Sequence, residues 1–144
     1  MSIPTSGPGT GIYLERTVYK MIATTAVVAG DVMVSDGTVD ATTQVLDTMV
    51  QVSAAAELES GLLGVAMDTI AAGATGPFLF RGFIDAQTAG TPAVGAKLSG
   101  NSGALTLGAA GATEKVIGIA LETGTTTPTK VAFNGIEGFG NDNA

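Results

Sequence analysis

The sequence has 144 residues, which suits a single domain with a buried core. It carries a net charge of −7 and contains neither histidine nor cysteine. The acidic balance argues against binding to nucleic acids or to an anionic membrane, because both attract clustered lysine and arginine. Without cysteine the chain has no disulfide and no thiolate metal site, and without histidine it lacks the commonest general base.

Charged residues make up 13% of the chain, about half the share of roughly 25% found in typical soluble domains. A surface with so few charges is expected to be covered in part by other protein subunits. The first residues lack the basic and apolar regions of a secretory signal, and no apolar run approaches the roughly 18–20 residues that cross a bilayer. We therefore expect protein partners, and no membrane partner.

Residues 1–14 are predicted to form an extended N-terminal arm. Proline and glycine are frequent up to Gly11, and at this density they prevent regular structure. Such an arm can be a mobile terminus, or it can add to the sheet edge of a neighbouring protein through main-chain hydrogen bonds. Its apolar side chains favour the second interpretation, because a free tail does not need them. The predicted partner-binding residues of the arm are Ile3, Pro4, Ile12, Tyr13 and Leu14.

Strands and turns follow directly after the arm. Residues 21–29 are rich in Val, Thr and Ala, which favours a strand. The turn at residues 35–37 predicts a hairpin from residues 32–34 into residues 38–41, because its Asp and Gly readily adopt turn conformations. Residues 44–59 predict a strand followed by a short helical turn over their alanine-rich end.

The second half of the chain shows a clearer pattern of short strands. A tight turn over residues 99–103 predicts a second hairpin, and Gly64 and Gly118 lie mid-strand, where glycine is typical of a sharp bend or a bulge. This spacing favours an all-β fold, a compact small β-barrel or β-sandwich over residues 15–135, followed by a C-terminal tail over residues 136–144. The predicted strands are residues 62–67, 78–84, 96–98, 104–107, 115–121 and 129–133.

Few residue types remain that could carry catalysis. The options are paired carboxylates, lysine or tyrosine, and the acidic residues lie at or beside predicted turns, as solvated turn residues usually do. Residues 36–40 lack the acidic spacing of a calcium loop, and residues 7–11 lack the Gly-Lys-Ser/Thr ending of a phosphate loop. We therefore expect that the protein is not an enzyme and has no catalytic, cofactor-binding or metal-binding residue.

Arg81 is an isolated charge in an apolar strand, between Phe80 and Gly82. It can pair with a carboxylate across a subunit contact, or it can point outward from a half-buried strand, which is the commoner arrangement. Arg81 is therefore a candidate subunit-binding residue together with the arm.

The order of short segments in the second half forms a recognisable pattern. A Gly-Val-Ala strand and a small-residue turn precede Arg-Gly-Phe, and Val-Gly, Ile-Gly-Ile-Ala and a last strand ending in Asn-Gly follow. These segments are residues 64–66, 71–76, 81–83, 94–98, 117–122 and 130–135. Their order resembles a phage family of small capsid decoration proteins, also called cement or head-stabilising proteins, which are encoded beside major capsid proteins.

The resemblance implies a small β-barrel or β-sandwich without catalysis. It also implies a homotrimer that sits over three-fold positions on the outer surface of a capsid, with the N-terminal arm touching the major capsid protein. The partners expected from it are the major capsid protein and further copies of this chain. Residues 1–60 match the family pattern less well, so the role of the arm depends mainly on its composition.

Two other functions stay open. The first is another structural part of a virion or surface, such as a head fibre base, a tail component or an adhesin module. The second is a glycan-binding domain, which usually stacks sugars on aromatic side chains. The chain has no Trp, and its two Tyr residues are Tyr13 and Tyr19, so the glycan-binding function is less favoured.

Overall fold

A computed structural model describes residues 14–53, 61–112, 114–124 and 128–139. Within these ranges the chain is all-β, as predicted, and contains no helix. The predicted arm up to residue 13 and the predicted helical turn near residue 54 lie outside the described residues. The strands are β1 Thr17–Ala23, β2 Val32–Ser35, β3 Thr48–Val50, β4 Leu63–Ala66, β5 Thr75–Ala86, β6 Lys97–Gly100, β7 Leu107–Ala109, β8 Gly118–Ala120 and β9 Thr129–Asn134.

Five strands close into a first ring. The hydrogen-bonded order runs β1–β3–β2–β4–β5, and β5 pairs again with β1. The β1–β3 pairing is parallel, and the other four pairings are antiparallel. Closure removes most of the free sheet edges that would otherwise attract other chains.

The second half of β5 starts a second ring. Residues 81–86 pair with β9, and the order continues through β8 and β6 to β7. A parallel bridge between Thr88 and Leu107 returns β7 to the chain just after β5. Two hydrogen bonds support this bridge, from the Ala89 amide to the Leu107 carbonyl (2.7 Å) and from the Leu107 amide to the Gln87 carbonyl (2.8 Å).

β5 changes partners at a bulge. Thr17 and Val18 of β1 lie opposite Arg81 and Leu79, so one additional residue of β5 stands between them. Gly82 has a φ of 139°, a backbone conformation that suits glycine and few other residues. The bulge increases the local twist, which lets β5 leave β1 and continue along β9.

Two apolar clusters form the core. The first fills the inside of the first ring and consists of Met21, Ala23, Val27, Met33, Met49, Ala66, Ile70, Phe78 and Phe80. The second lies between the two rings and consists of Val32, Val34, Val52, Leu63, Val65, Leu79, Ala86, Leu98, Leu107, Ile117, Ala120, Val131 and Phe133.

β2, β4 and the first half of β5 lie between these clusters and are buried on both faces. In β2, Met33 faces the first cluster, whereas Val32 and Val34 face the second. In β4, Leu63 and Ala66 likewise belong to different clusters. Burial on both faces explains why these strands are continuous apolar runs without polar alternation.

Of the bend or bulge predicted at Gly64 and Gly118, the strand pairings show no bulge at either position. Both glycines stand in regular ladders, with Met33 opposite Gly64 and Phe133 opposite Gly118. Gly64 is tightly packed, because a Cβ there would lie 3.2 Å from atoms of the Phe80 ring.

The predicted hairpin from residues 32–34 into residues 38–41 is also wrong. β2 pairs with β3 and β4, and Val39 forms an isolated bridge with Leu46. β3 takes the place beside β2 because it brings the fully buried Met49 into the core, whereas residues 38–41 are exposed.

The Asp40 side chain organises a local turn after residues 38–40. Its Oδ1 atom accepts hydrogen bonds from the amides of Thr42 (2.8 Å) and Thr43 (2.7 Å), which closes a local turn. The backbone hydrogen bond from Thr43, followed by those from its side chain and the Thr42 amide, lowers the pKa of Asp40.

The second predicted hairpin is confirmed with shifted boundaries. β6 and β7 pair with Gly100 opposite Leu107, and the turn between them is held by the Asn101 amide, which donates to the Thr106 carbonyl (3.0 Å). The predicted strand at residues 104–107 therefore begins later than expected.

Gly135 joins the two rings and provides a test of the packing. Its amide donates to the Phe80 carbonyl (2.8 Å), and its carbonyl accepts from the Leu63 amide (3.0 Å). A Cβ at this position would overlap the Leu63 carbonyl group. We expect Gly135→Ala to lower the free energy of unfolding by about 1–3 kcal/mol or more, measured by urea denaturation.

Gly108→Ala is the matched control, because a Cβ there makes ordinary contact with Asn101 at 3.6 Å. This variant should be neutral or slightly stabilised, since alanine restricts the unfolded chain. Equal stability of the two variants would contradict the described approach of Gly135 to β4.

Candidate functional site

The described residues contain no group of three or more acidic side chains that could hold a metal ion. None of their elements is a helix long and apolar enough to cross a membrane. Two apolar surfaces stand out among the described residues.

The first surface is the outer side of the second ring. Phe83 lies opposite Ala132, which in turn lies opposite Ile119 on the next strand. Leu121 directly follows β8, and its amide donates to the Lys130 carbonyl of β9 (2.9 Å), which keeps it beside these strands. Phe83 is 44% exposed and Leu121 is 42% exposed, while the other two are half-buried. Phe83, Ile119, Leu121 and Ala132 are called the outer face below.

Charges of both signs surround the outer face. Asp85 and Lys130 stand directly opposite each other on β5 and β9, and the exposed Lys97 lies opposite Ile119. The Glu122 carboxylate accepts a hydrogen bond from the Lys130 amide (3.0 Å). An apolar centre with a polar rim is the usual arrangement of a protein-binding surface.

The second surface is a pocket of about 450 Å³ at the side of the first ring. Tyr19 and Phe80 form part of its wall and contact each other edge to face, with ring centroids 5.7 Å apart. Lys20 and Asp47 supply charged groups among the lining residues. The main apolar lining consists of Tyr19, Met21, Leu46, Leu62, Phe80 and Ile136, and the name edge pocket is used for it below.

The edge pocket exists because β1 and β3 pair over a short distance. Only Ile22 and Ala23 of β1 have ladder partners in β3, and the Ile22 amide donates to the Asp47 carbonyl (2.7 Å). Alternate amides of a strand point the same way, so the main-chain groups of Lys20 and Val18 face the same side as that of Ile22. Within the described residues, no strand pairs with this side of Val18 and Lys20.

Arg81 lies near the edge pocket and links both ends of the described chain. Its guanidinium group pairs with Glu15 (3.8 Å) and Glu137 (3.5 Å), and both carboxylates are largely exposed. The Arg81 Nε atom is buried and has no hydrogen-bond partner in the described structure. Both partners belong to the same chain, and a role of Arg81 in binding another subunit stays a prediction.

The structure places one of the predicted arm residues. Leu14 is half-buried and directly precedes Glu15, the partner of Arg81, so these two candidate residues lie at one end of β1. The other arm residues, Ile3, Pro4, Ile12 and Tyr13, lie outside the described residues. Their binding role stays a prediction.

Sequence reasoning missed the outer face and the edge pocket. Strand alternation could have identified Phe83, because it lies at odd spacing from the buried Phe78 and Phe80. No local sequence pattern indicates the edge pocket, since its lining residues come from segments that are distant in the sequence.

The fold and its surfaces define a small all-β protein built from two linked rings with exposed apolar contact surfaces. No protein-family model matches the chain, and no curated protein is significantly similar to it. A solved structure with a similar fold is the N base of the head fibre gp8.5 of bacteriophage phi29, with a TM-score of 0.59 and 12% sequence identity. The match covers 87% of this chain and 98% of the phage chain. At this identity the likeness shows a shared fold.

We expect Arg81→Met to lower the free energy of unfolding by less than about 1 kcal/mol in urea denaturation. Glu15 and Glu137 remain solvated when their partner is removed, and methionine keeps most of the apolar stem. Arg16→Met, at an exposed arginine, is the control for loss of a positive charge. A loss above about 2 kcal/mol would show that these ion pairs organise the two chain ends, against the usual weakness of exposed pairs.

Lys115 provides a prediction on pH. Burial lowers its pKa from the ordinary value of 10.5, and its Nζ atom has one long contact, to the Ile136 carbonyl (3.5 Å). The protonated form is thus disfavoured in the folded state, a cost that is present at neutral pH and disappears as the pH rises past 10.5. We expect Lys115→Met to raise the Tm at pH 7, and the gain to shrink as the pH approaches that value.

Thermal melts of both proteins from pH 7 to pH 11 would check this. Lys130→Met removes an exposed lysine and is the control for the change in net charge. A gain in Tm for Lys115→Met that is independent of pH would show that desolvation of the ammonium group is not its cause.

Proposed function

We propose that this protein is a non-enzymatic structural component of a phage virion that binds the outer surface of the capsid and stabilises its lattice, as a decoration protein does. The observation that carries the proposal is the fold shared with a phage head fibre base over 87% of the chain. The order of segments over residues 61–135, which resembles capsid decoration proteins, supports the same function.

The physical properties of the chain suit this role. A clamp that bridges several capsid subunits and binds only the assembled shell stabilises that shell by mass action. The net charge of −7 disfavours binding to the nucleic acid that such shells package. The outer face offers a capsid protein an apolar centre within a charged rim.

A head fibre base is the second candidate function, and the solved neighbour favours it directly, since that protein is described as the base of a head fibre. A base would be present at few sites and would carry a further fibre segment, whereas a decoration protein would cover the lattice at high copy number. Counting copies per purified virion against the capsid protein distinguishes them. High occupancy together with a higher temperature of capsid rupture supports decoration, and low occupancy supports a fibre base.

The outer face can be tested separately. We expect the double variant Phe83→Ser, Leu121→Ser to bind undecorated capsids at least tenfold more weakly. Complete burial of one such side chain is worth about 1.5–3 kcal/mol, and the variant loses the part of this free energy that is gained at the capsid contact. Its thermal stability should fall much less than its capsid affinity, since 44% of Phe83 and 42% of Leu121 already lie in solvent in the free protein. Co-sedimentation with capsids at increasing protein concentration measures the affinity.

Val28→Ser is the control, because Val28 is 51% exposed but lies outside the outer face. Full binding by the double variant would show that the capsid contact lies elsewhere on the protein. A protein that binds no capsid in any form would count against the proposed function as a whole.

A further inference from the structure

We propose that the edge pocket binds the N-terminal arm of a second copy of this chain, with the arm added as a strand along the free edge of β1. The proposal concerns contact between copies and goes beyond attachment to a capsid. It holds or fails independently of the capsid partner.

The acceptor has the two features that strand addition needs. The edge of β1 presents main-chain groups at Val18 and Lys20 on the side of Ile22, where the described residues supply no strand. The adjoining pocket is apolar and has a volume of about 450 Å³. In strand addition the main-chain hydrogen bonds supply affinity, and a pocket for alternate side chains supplies specificity.

The edge pocket is also exposed enough to receive a partner. Tyr19 is 56% exposed although it contacts the buried Phe80, and Val45 at the mouth is 47% exposed. These apolar side chains remain in water in the isolated chain. An occupant with apolar side chains would bury them.

The donor is the segment of thirteen residues that precedes Leu14. It contains Ile3, Ile12 and Tyr13, which suit an apolar pocket, and few charges that would have to be desolvated. Fully extended, thirteen residues span at most about 45 Å, whereas a domain of this size has a radius of gyration of about 14 Å. The segment is therefore long enough to reach another copy.

Chain direction favours a second copy over the arm's own domain. The described chain enters β1 from Leu14 and Glu15, at the end held by Arg81. To lie beside β1, its own arm would have to reverse direction before the chain enters at Leu14. The arm of another copy needs no such reversal.

The proposed contact would be of the head-to-tail type. Donor and acceptor are different surfaces of the same chain, so each copy would give one arm and receive one. Such head-to-tail contacts close into rings when the rotation between copies permits it, and a trimer is one such ring. Once one arm is bound, the remaining arms act at high effective concentration.

Disulfide trapping tests the contact without background, because the chain has no cysteine of its own. Ile12→Cys and Leu46→Cys are prepared as separate full-length proteins, mixed and oxidised. We expect a disulfide-linked dimer that contains one copy of each variant. Val94→Cys replaces Leu46→Cys in the control, because Val94 is 62% exposed and lies outside the edge pocket, and it should give several-fold less mixed dimer.

A protein that carries Ile12→Cys and Leu46→Cys in one chain separates the two possible donors. Linkage between chains supports the proposal, whereas rapid linkage within a monomer at high dilution overturns it in favour of the chain's own arm. Equal yields with Leu46→Cys and Val94→Cys would also overturn it.

A second experiment measures the association of copies by light scattering and needs no disulfide bond. Deletion of residues 2–13 removes the donor, and Leu46→Asp places a charge in the acceptor, so each variant alone should be monomeric by light scattering, with Tm values showing that both are folded. Their mixture should form a dimer, because one retains a free pocket and the other a free arm. A full-length protein that is monomeric at every concentration, or a mixture that does not associate, would overturn the proposal.

Discussion

β5 is the strand on which both rings depend. Its first half contributes Phe78 and Phe80 to the core of the first ring, and its second half pairs with β9 in the second. Leu79, between the two phenylalanines, faces the other cluster. Loss of pairing along the first half would therefore expose apolar surface in both clusters, and loss along the second half would uncover Ala86 of the second cluster. The bulge and Gly82 allow one strand to serve two rings, because they provide the change of direction between its partners.

The all-β fold could be predicted from the sequence because its signals are local. Dense glycine turns and β-branched runs identify strands without knowledge of their partners. The pairing of strands could not be predicted in the same way. The turn at residues 35–37 indicates a hairpin locally, yet burial of Met49 brings β3 beside β2 from a distance along the chain. Gly64 shows the same limit, since the ring that packs tightly against it, Phe80, lies on another strand.

The candidate surfaces were less predictable than the fold. Composition pointed to a protein that is covered by other subunits, and it singled out the arm and Arg81. It could not show that Arg81 has carboxylate partners at both Glu15 and Glu137, because neither is near it in the sequence. Phe83 and Leu121 belong to one exposed apolar surface only because β5, β9 and β8 lie side by side, and the sequence does not show this pairing.

The order of strands along the chain has a consequence for biosynthesis. β1 to β5 are complete by Ala86, so the first ring has all its strands before β6 to β9 have been translated. At that stage Val32, Val34 and Leu63 would face water, because residues that pack with them, such as Phe133, are made later. The nascent chain therefore presents an apolar sheet face until β9 leaves the ribosome, a state that favours aggregation or the binding of a chaperone.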